Sequence, residues 1–168
     1  MADLNTVRAS APTDIVLIET LELLHDSFPA PIRITNQLQA ITASLEDTAP
    51  ANPGATVTFQ PISFQLVLPR AGDGGSQTLD ITISNVDQVA ANALQIAMDN
   101  PGPVTVIYRL YTSDNLTEPA ENPPTTLVLE SAVADSQKLV AKARNNDNIS
   151  RKFPKDIYNI YDHPGLSR

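Results

Sequence analysis

Alternation is what most limits the folds open to this chain. In "TLDITISN", residues 78–85, Leu79, Ile81 and Ile83 fall on one side and Asp80, Thr82 and Ser84 on the other. A period of two marks a half-buried β-strand, because successive side chains of a strand point to opposite faces. "TVTFQPISFQLVLP" repeats the pattern with Val57 and Phe59, then Ile62, Phe64, Leu66 and Leu68, and Pro61 marks a bulge or an edge. "PVTVIYRLYTS" alternates again, and "TTLVLESAVAD" with "QKLVAKARN" reads as a closing antiparallel pair. Turn residues separate the runs: "DTAPANPGAT" at 47–56, the glycine turn "RAGDGGSQ" and the proline loop "NLTEPAENPP".

Two stretches need arbitration. In "DIVLIETLELLHDSF" the residues Ile15, Ile18, Leu21 and Leu24 have helical spacing, but the β-branched start favours a strand. "PAPIRIT" follows across a proline-containing turn as a strand returning beside the first, and "LQAITASL" is a weaker third. The period changes in "NVDQVAANALQIAMDNPG", where Val86, Val89, Ala90, Ala93, Leu94 and Ala97 form one helical stripe. Asn85 serves as its N-cap and "NPG" ends it. The expected fold is mainly β: an antiparallel β-barrel or sandwich with one flanking helix at about 86–98. Residues 1–150 form this domain, and 151–168 form an extended C-terminal arm.

At 168 residues with 42% hydrophobic side chains, the chain can build one packed core. It has no cysteine, which excludes disulfides, thiol nucleophiles and thiolate-bound metals. The formal charge of −8 is unevenly spread. In the last eighteen residues Arg151, Lys152, Lys155 and Arg168 outweigh Asp156 and Asp162 by +2, which leaves −10 for the rest. An acidic body argues against tight nucleic-acid binding, since phosphates are gripped by clustered Lys and Arg. The N-terminus lacks the pattern of a signal peptide, and "IVLIETLELL", broken by Glu19 and Glu22, is too short to span a bilayer. A soluble protein without membrane contact is expected.

Sites for chemistry are sparse. "AGDGGSQ" leads into a strand rather than a helix and offers no lysine to a phosphate, so it reads as a tight turn. The two histidines, His25 and His163, read as loop residues with local hydrogen bonds, although a Ser–His–Asp arrangement can assemble from distant positions. Glu19 and Glu22 read as ordinary edge or solvent positions. Lys138, Lys142 and Arg144 share one strand face, either as a solvated face or as a contact stripe for an acidic neighbour. No catalytic, cofactor or metal site is expected.

The order of segments carries more. "ELLHDSFPAPIRITNQ", "VTFQPISFQLVLP", "LDITISNVDQVAANALQ", "PVTVIYRLYTSD" and the closing "FPKDIYNIYDHPGL" together resemble a family of short siphophage tail-tip proteins, catalogued largely as a domain of unknown function. That family is similar to the N-terminal part of the lambda-like minor tail protein L and to tail-hub proteins of gene transfer agents. The resemblance covers about residues 13–166. It implies a tail-tube or hub type of β-barrel with a flanking helix, arranged in a ring around the DNA channel. It implies no catalytic residue, and it stops short of the cysteine-rich region of the minor tail protein, so no iron–sulfur cluster is carried over.

The expected function is therefore that of a virion structural protein of the tail tip or baseplate, assembled in the host cytoplasm. Its partners are other copies of itself, as a trimer before a hexamer, and neighbouring tail-tip and tail-tube proteins; DNA only passes through. The competing readings are a cell-envelope hydrolase and a carbohydrate-binding β-sandwich. The arm supplies the expected interface residues: Phe153, Ile157, Tyr158 and Tyr161 as anchors and Arg151, Lys152 and Lys155 to steer it to an acidic surface. It packs on an adjacent subunit or, alternatively, folds back over its own barrel.

Overall fold

The computed structural model describes residues 15–67, 78–84, 102–135 and 137–145, with isolated positions at 9, 12, 92, 96, 97, 99 and 100. Nine strands form within them: β1 Leu17–Leu24, β2 Ile32–Thr35, β3 Ile41–Ser44, β4 Thr56–Pro61, β5 Phe64–Val67, β6 Thr78–Ser84, β7 Thr105–Thr112, β8 Thr125–Ala134 and β9 Lys138–Asn145. The expected mainly-β fold is present. The first segment is a strand, as its β-branched start favours, and β2 returns antiparallel beside it. The expected helix at about 86–98 lies outside the described residues, apart from the isolated helical positions Asn92, Ile96 and Ala97. The arm at 151–168 lies outside them altogether.

The strands make one sheet in the order β3-β4-β2-β1-β7-β8-β9-β6-β5. It corrects the expected barrel in two ways. The sheet does not close, and it is mixed, because β2 and β4 pair in parallel at Ile34↔Gln60 and Thr35↔Pro61. The reason lies at the β4–β5 junction. Pro61 has no N–H and ends the ladder on β2. The backbone N–H of Ile62 still reaches Thr35 O at 3.2 Å, and the next residue, Ser63, accepts from Ser84 N on β6 at 2.8 Å. Two residues thus join β4, second in the pairing order, to β5 at its far end, so the sheet must curl. The second edge of β4 is already taken by β3, and β5 has β6 as its one neighbour.

Curling produces two cores. The larger gathers Leu21, Ile34, Phe64, Ile81, Ile83, Val106, Leu110 and Leu139 from strands of both halves of the sheet. A smaller one lies on the other face of β1 and β7, where Ile18 and Tyr111 meet Ala43, Leu45, Ala49 and Phe59 from β3, β4 and the loop between them. Full burial of a side chain such as Phe59 stabilises the fold by about 1.5–3 kcal/mol. β7 is therefore covered on both faces, and every residue from Val106 to Thr112 is buried.

Candidate functional site

A strand buried on both faces should be apolar throughout, yet β7 carries Arg109, which is 1% exposed. A buried charge has to be paired and hydrogen-bonded to be tolerated. Arg109 grips Glu46 with two bonds, Nε to Oε2 at 2.7 Å and Nη2 to Oε1 at 2.8 Å. Its Nη1 donates to Glu22 Oε2 at 2.7 Å. The other oxygen of Glu22 accepts from Arg33 Nε at 2.8 Å. Arg33 also donates through Nη2 to Asn52 Oδ1 at 2.8 Å. Two guanidiniums and two carboxylates thus cancel in charge and satisfy one another in the smaller core.

These contacts shift the ionisation of the groups. Burial alone would raise the Glu46 carboxyl, but the hydrogen bonds and charge of Arg109 overcome it and hold the group below its ordinary value. Burial alone would lower Arg109, but Glu46 and Glu22 more than offset it and hold the guanidinium above its usual range. Burial pushes the Tyr111 hydroxyl up to about 12, and that hydroxyl donates to Ser44 O at 2.9 Å. The reading of Glu22 as a solvent position is corrected: its side chain is wholly buried. Glu19 is half-buried and accepts from Tyr108 Oη at 3.1 Å.

The cluster fixes the loop between β3 and β4. Glu46 anchors one end, Asn52 is held by Arg33, and Glu46 O accepts from Ala49 N and Gly54 N, both at 3.1 Å. Asn52 and Gly54 adopt left-handed backbone, with φ of 54° and 65°. A Cβ at Gly54 would lie 2.9 Å from Asp47 Oδ1, so glycine suits this turn on two counts.

Held in place, the loop forms one wall of a cleft of about 410 Å³, within the size range of small-molecule sites. Pro50 and Ala51 come from the loop, Leu24, His25, Asp26, Phe28 and Pro31 from the end of β1 and the turn after it, and Pro103 and Thr105 from the start of β7. His25 Nδ1 accepts from the backbone N–H of Ser27 at 3.2 Å and lies 2.6 Å from its hydroxyl. The ring's second nitrogen, Nε2, faces away from this contact. That Nε2 is the one buried side-chain nitrogen or oxygen without a partner among the described residues. Gly102 packs closely against it, since a Cβ there would stand only 3.0 Å from Nε2. His25 thus makes the local bond expected of a loop histidine, while its second nitrogen stays unmatched.

Other expected residues fall elsewhere. Lys138, Lys142 and Arg144 do share the exposed face of β9. The arm residues Arg151, Lys152, Phe153, Lys155, Ile157, Tyr158 and Tyr161, and His163, lie outside the described residues. Sequence reasoning missed the ion cluster. Its one signal was Arg109 inside the otherwise apolar run "VIYRLY", where a charge requires a buried partner.

No curated protein matches this chain. The profile of the domain of unknown function DUF1833 matches residues 4–158, nearly its whole length, and the chain therefore belongs to the DUF1833 family.

Proposed function

We propose that the protein is a structural subunit of a siphophage-like tail tip, one part of a ring around the DNA channel that joins the tail tube to the host-recognition apparatus. The observation that carries this reading is the outer face of the sheet at β8 and β9. There Val133, 72% exposed, stands directly opposite Val140, itself exposed. Lys138, Lys142 and Arg144 flank Val140 along the same face of β9. Apolar side chains paired on an open sheet face and bordered by one sign of charge suit contact with an acidic partner. The acidic body of a second copy is such a partner.

The segment order that resembles short tail-tip proteins supports the same reading, as does a mainly-β architecture built on one curled sheet. The ring is a trimer before a hexamer, set between tail-tube and tail-tip neighbours in the virion, with DNA only in transit. The buried side chains of Arg109, Glu22 and Glu46 are occupied in bracing strands and a loop, which supports a scaffold role over a catalytic one. Images of whole particles test the proposal through the rotational symmetry of density for this subunit. A protein found free as a monomer and missing from purified particles would end it.

A further inference from the structure

We propose that the outer face of β8 and β9 docks on the loop between β7 and β8 of a second copy, so that copies join head to tail. This rests on the ring reading above and names the contact that builds the ring. On one side Val133 and Val140 stand opposite each other, and exposed Lys138, Lys142 and Arg144 line β9 around them. Asp80 on β6 pairs in register with Lys142 and Glu130 sits at the bulge of β8, so the positive charge is concentrated along β9. None of the three cations forms an ion pair among the described residues. On the other side, the loop after Thr112 carries exposed Asp114, Glu118 and Glu121 and no lysine or arginine before β8 begins. Val16, 55% exposed, lies at its base, donating from N to Ser113 Oγ at 3.0 Å and accepting from Ser113 N at 2.9 Å. Each surface thus sets exposed valine beside one dominant sign of charge, and the signs are opposite.

The strand register keeps the two surfaces apart within one chain. Arg144 pairs with Val128 and Val128 with Thr105, which sets Arg144 level with the first residue of β7. From there Lys142 pairs with Ser131 and Val140 with Val133, so the stripe runs along β8 away from Thr112. Asp114 lies beyond Thr112, which is seven residues, or about 23 Å, along β7 from Thr105. That exceeds the reach of an ion pair, so the stripe and the tip of the loop meet only between copies. The loop is also held in one shape. Leu116 O accepts from Ser44 N at 2.8 Å, and Ala120 N donates to Leu110 O at 2.7 Å. A loop already fixed loses little freedom on docking. Because the two surfaces differ, the contact is heterologous, the kind that closes into a ring when the rotation between copies allows it.

The absence of cysteine permits a direct test. Val140→Cys and Val16→Cys are purified as separate full-length single variants, mixed, and oxidised mildly. The mixture should give disulfide-linked dimers and neither variant alone should, since a heterologous contact never brings two copies of one surface together. Dimers of Val140→Cys alone at the same level would overturn the proposal in favour of a two-fold contact through β9. No dimer in the mixture, with Thr117→Cys in place of Val16→Cys equally silent, would remove the contact. Lys142→Glu with Arg144→Glu on the Val140→Cys chain should cut the yield about tenfold, because like charges then face each other. Asp114→Lys with Glu118→Lys on the other chain should restore it. An unchanged yield would refute the electrostatic pairing. The tail-tip reading is judged separately, on particles. A ring of this subunit in the virion without these cross-links sinks the contact alone, whereas cross-links from a subunit missing from particles sink the tail-tip reading alone.

Discussion

Replacing Arg109 by leucine removes the centre of the ion cluster and keeps most of the apolar volume of its stem. Three hydrogen bonds of 2.7–2.8 Å are lost, two from Glu46 and one from Glu22. Removing one member of a buried ion pair typically costs about 3–5 kcal/mol, because the partner is left charged and unmatched. Glu22 keeps Arg33, so most of the damage falls on Glu46. Glu46 sits at the edge of a loop and recovers part of its hydration by swinging outward, which puts the expected loss near the low end, about 3 kcal/mol. At this chain length that corresponds to a fall in Tm of about 6–12 °C. Urea unfolding followed by circular dichroism measures it directly. Arg109→Lys should fall between wild type and leucine, since an ammonium cannot offer the two parallel bonds that Glu46 accepts. Adding Glu46→Leu to Arg109→Leu should recover much of the loss. A loss below about 1 kcal/mol for Arg109→Leu would refute the claim that this cluster braces the smaller core.

Glu46 is held below its ordinary value near 4.5, so the folded state binds fewer protons than the unfolded one in acid, and stability should be constant above about pH 4.5 and fall below it. Arg109→Leu should shrink that acid-dependent part, as read by denaturation at a series of pH values. Tyr111, raised by burial to about 12, should give up stability as pH climbs above 10, and one of the four tyrosines should resist phenolate formation in an ultraviolet titration while the fold lasts. Gly54→Ala forces a left-handed φ of 65° and a 2.9 Å approach to Asp47 on a side chain, and should cost about 1–2 kcal/mol in chemical denaturation. On the tail-tip proposal, the surface facing the channel in particle images should be acidic or neutral, because a basic lumen would hold phosphates; finding Lys138, Lys142 and Arg144 together on it would overturn that expectation.

The strands belong to the sequence. Period-two patterns at 57–67, 78–84 and 138–144 commit those residues to one inner and one outer face whatever they pack against, and β5, β6 and β9 follow the alternation residue by residue. Even the ambiguous opening segment was decided locally, by β-branched residues that resist a helix. What the tertiary structure alone decided is how these strands meet. The curl of the sheet depends on a two-residue link at Ile62 and Ser63 between β4, second in the pairing order, and β5 at its far end, and the parallel contact of β2 with β4 has no local sign. Glu22 reads as exposed because alternation assumes one wet face, whereas β1 and β7 are covered on both. Arg109 finds Glu46 across 63 positions and Glu22 across 87, distances over which no spacing rule operates. The cleft beside His25 likewise draws its walls from separate segments, so its shape exists only once the cluster has drawn the β3–β4 loop against β7. Periodicity is set by each residue and its chain neighbours; pairing of buried charges is set by which chain segments the curled sheet brings within about 3 Å of one another.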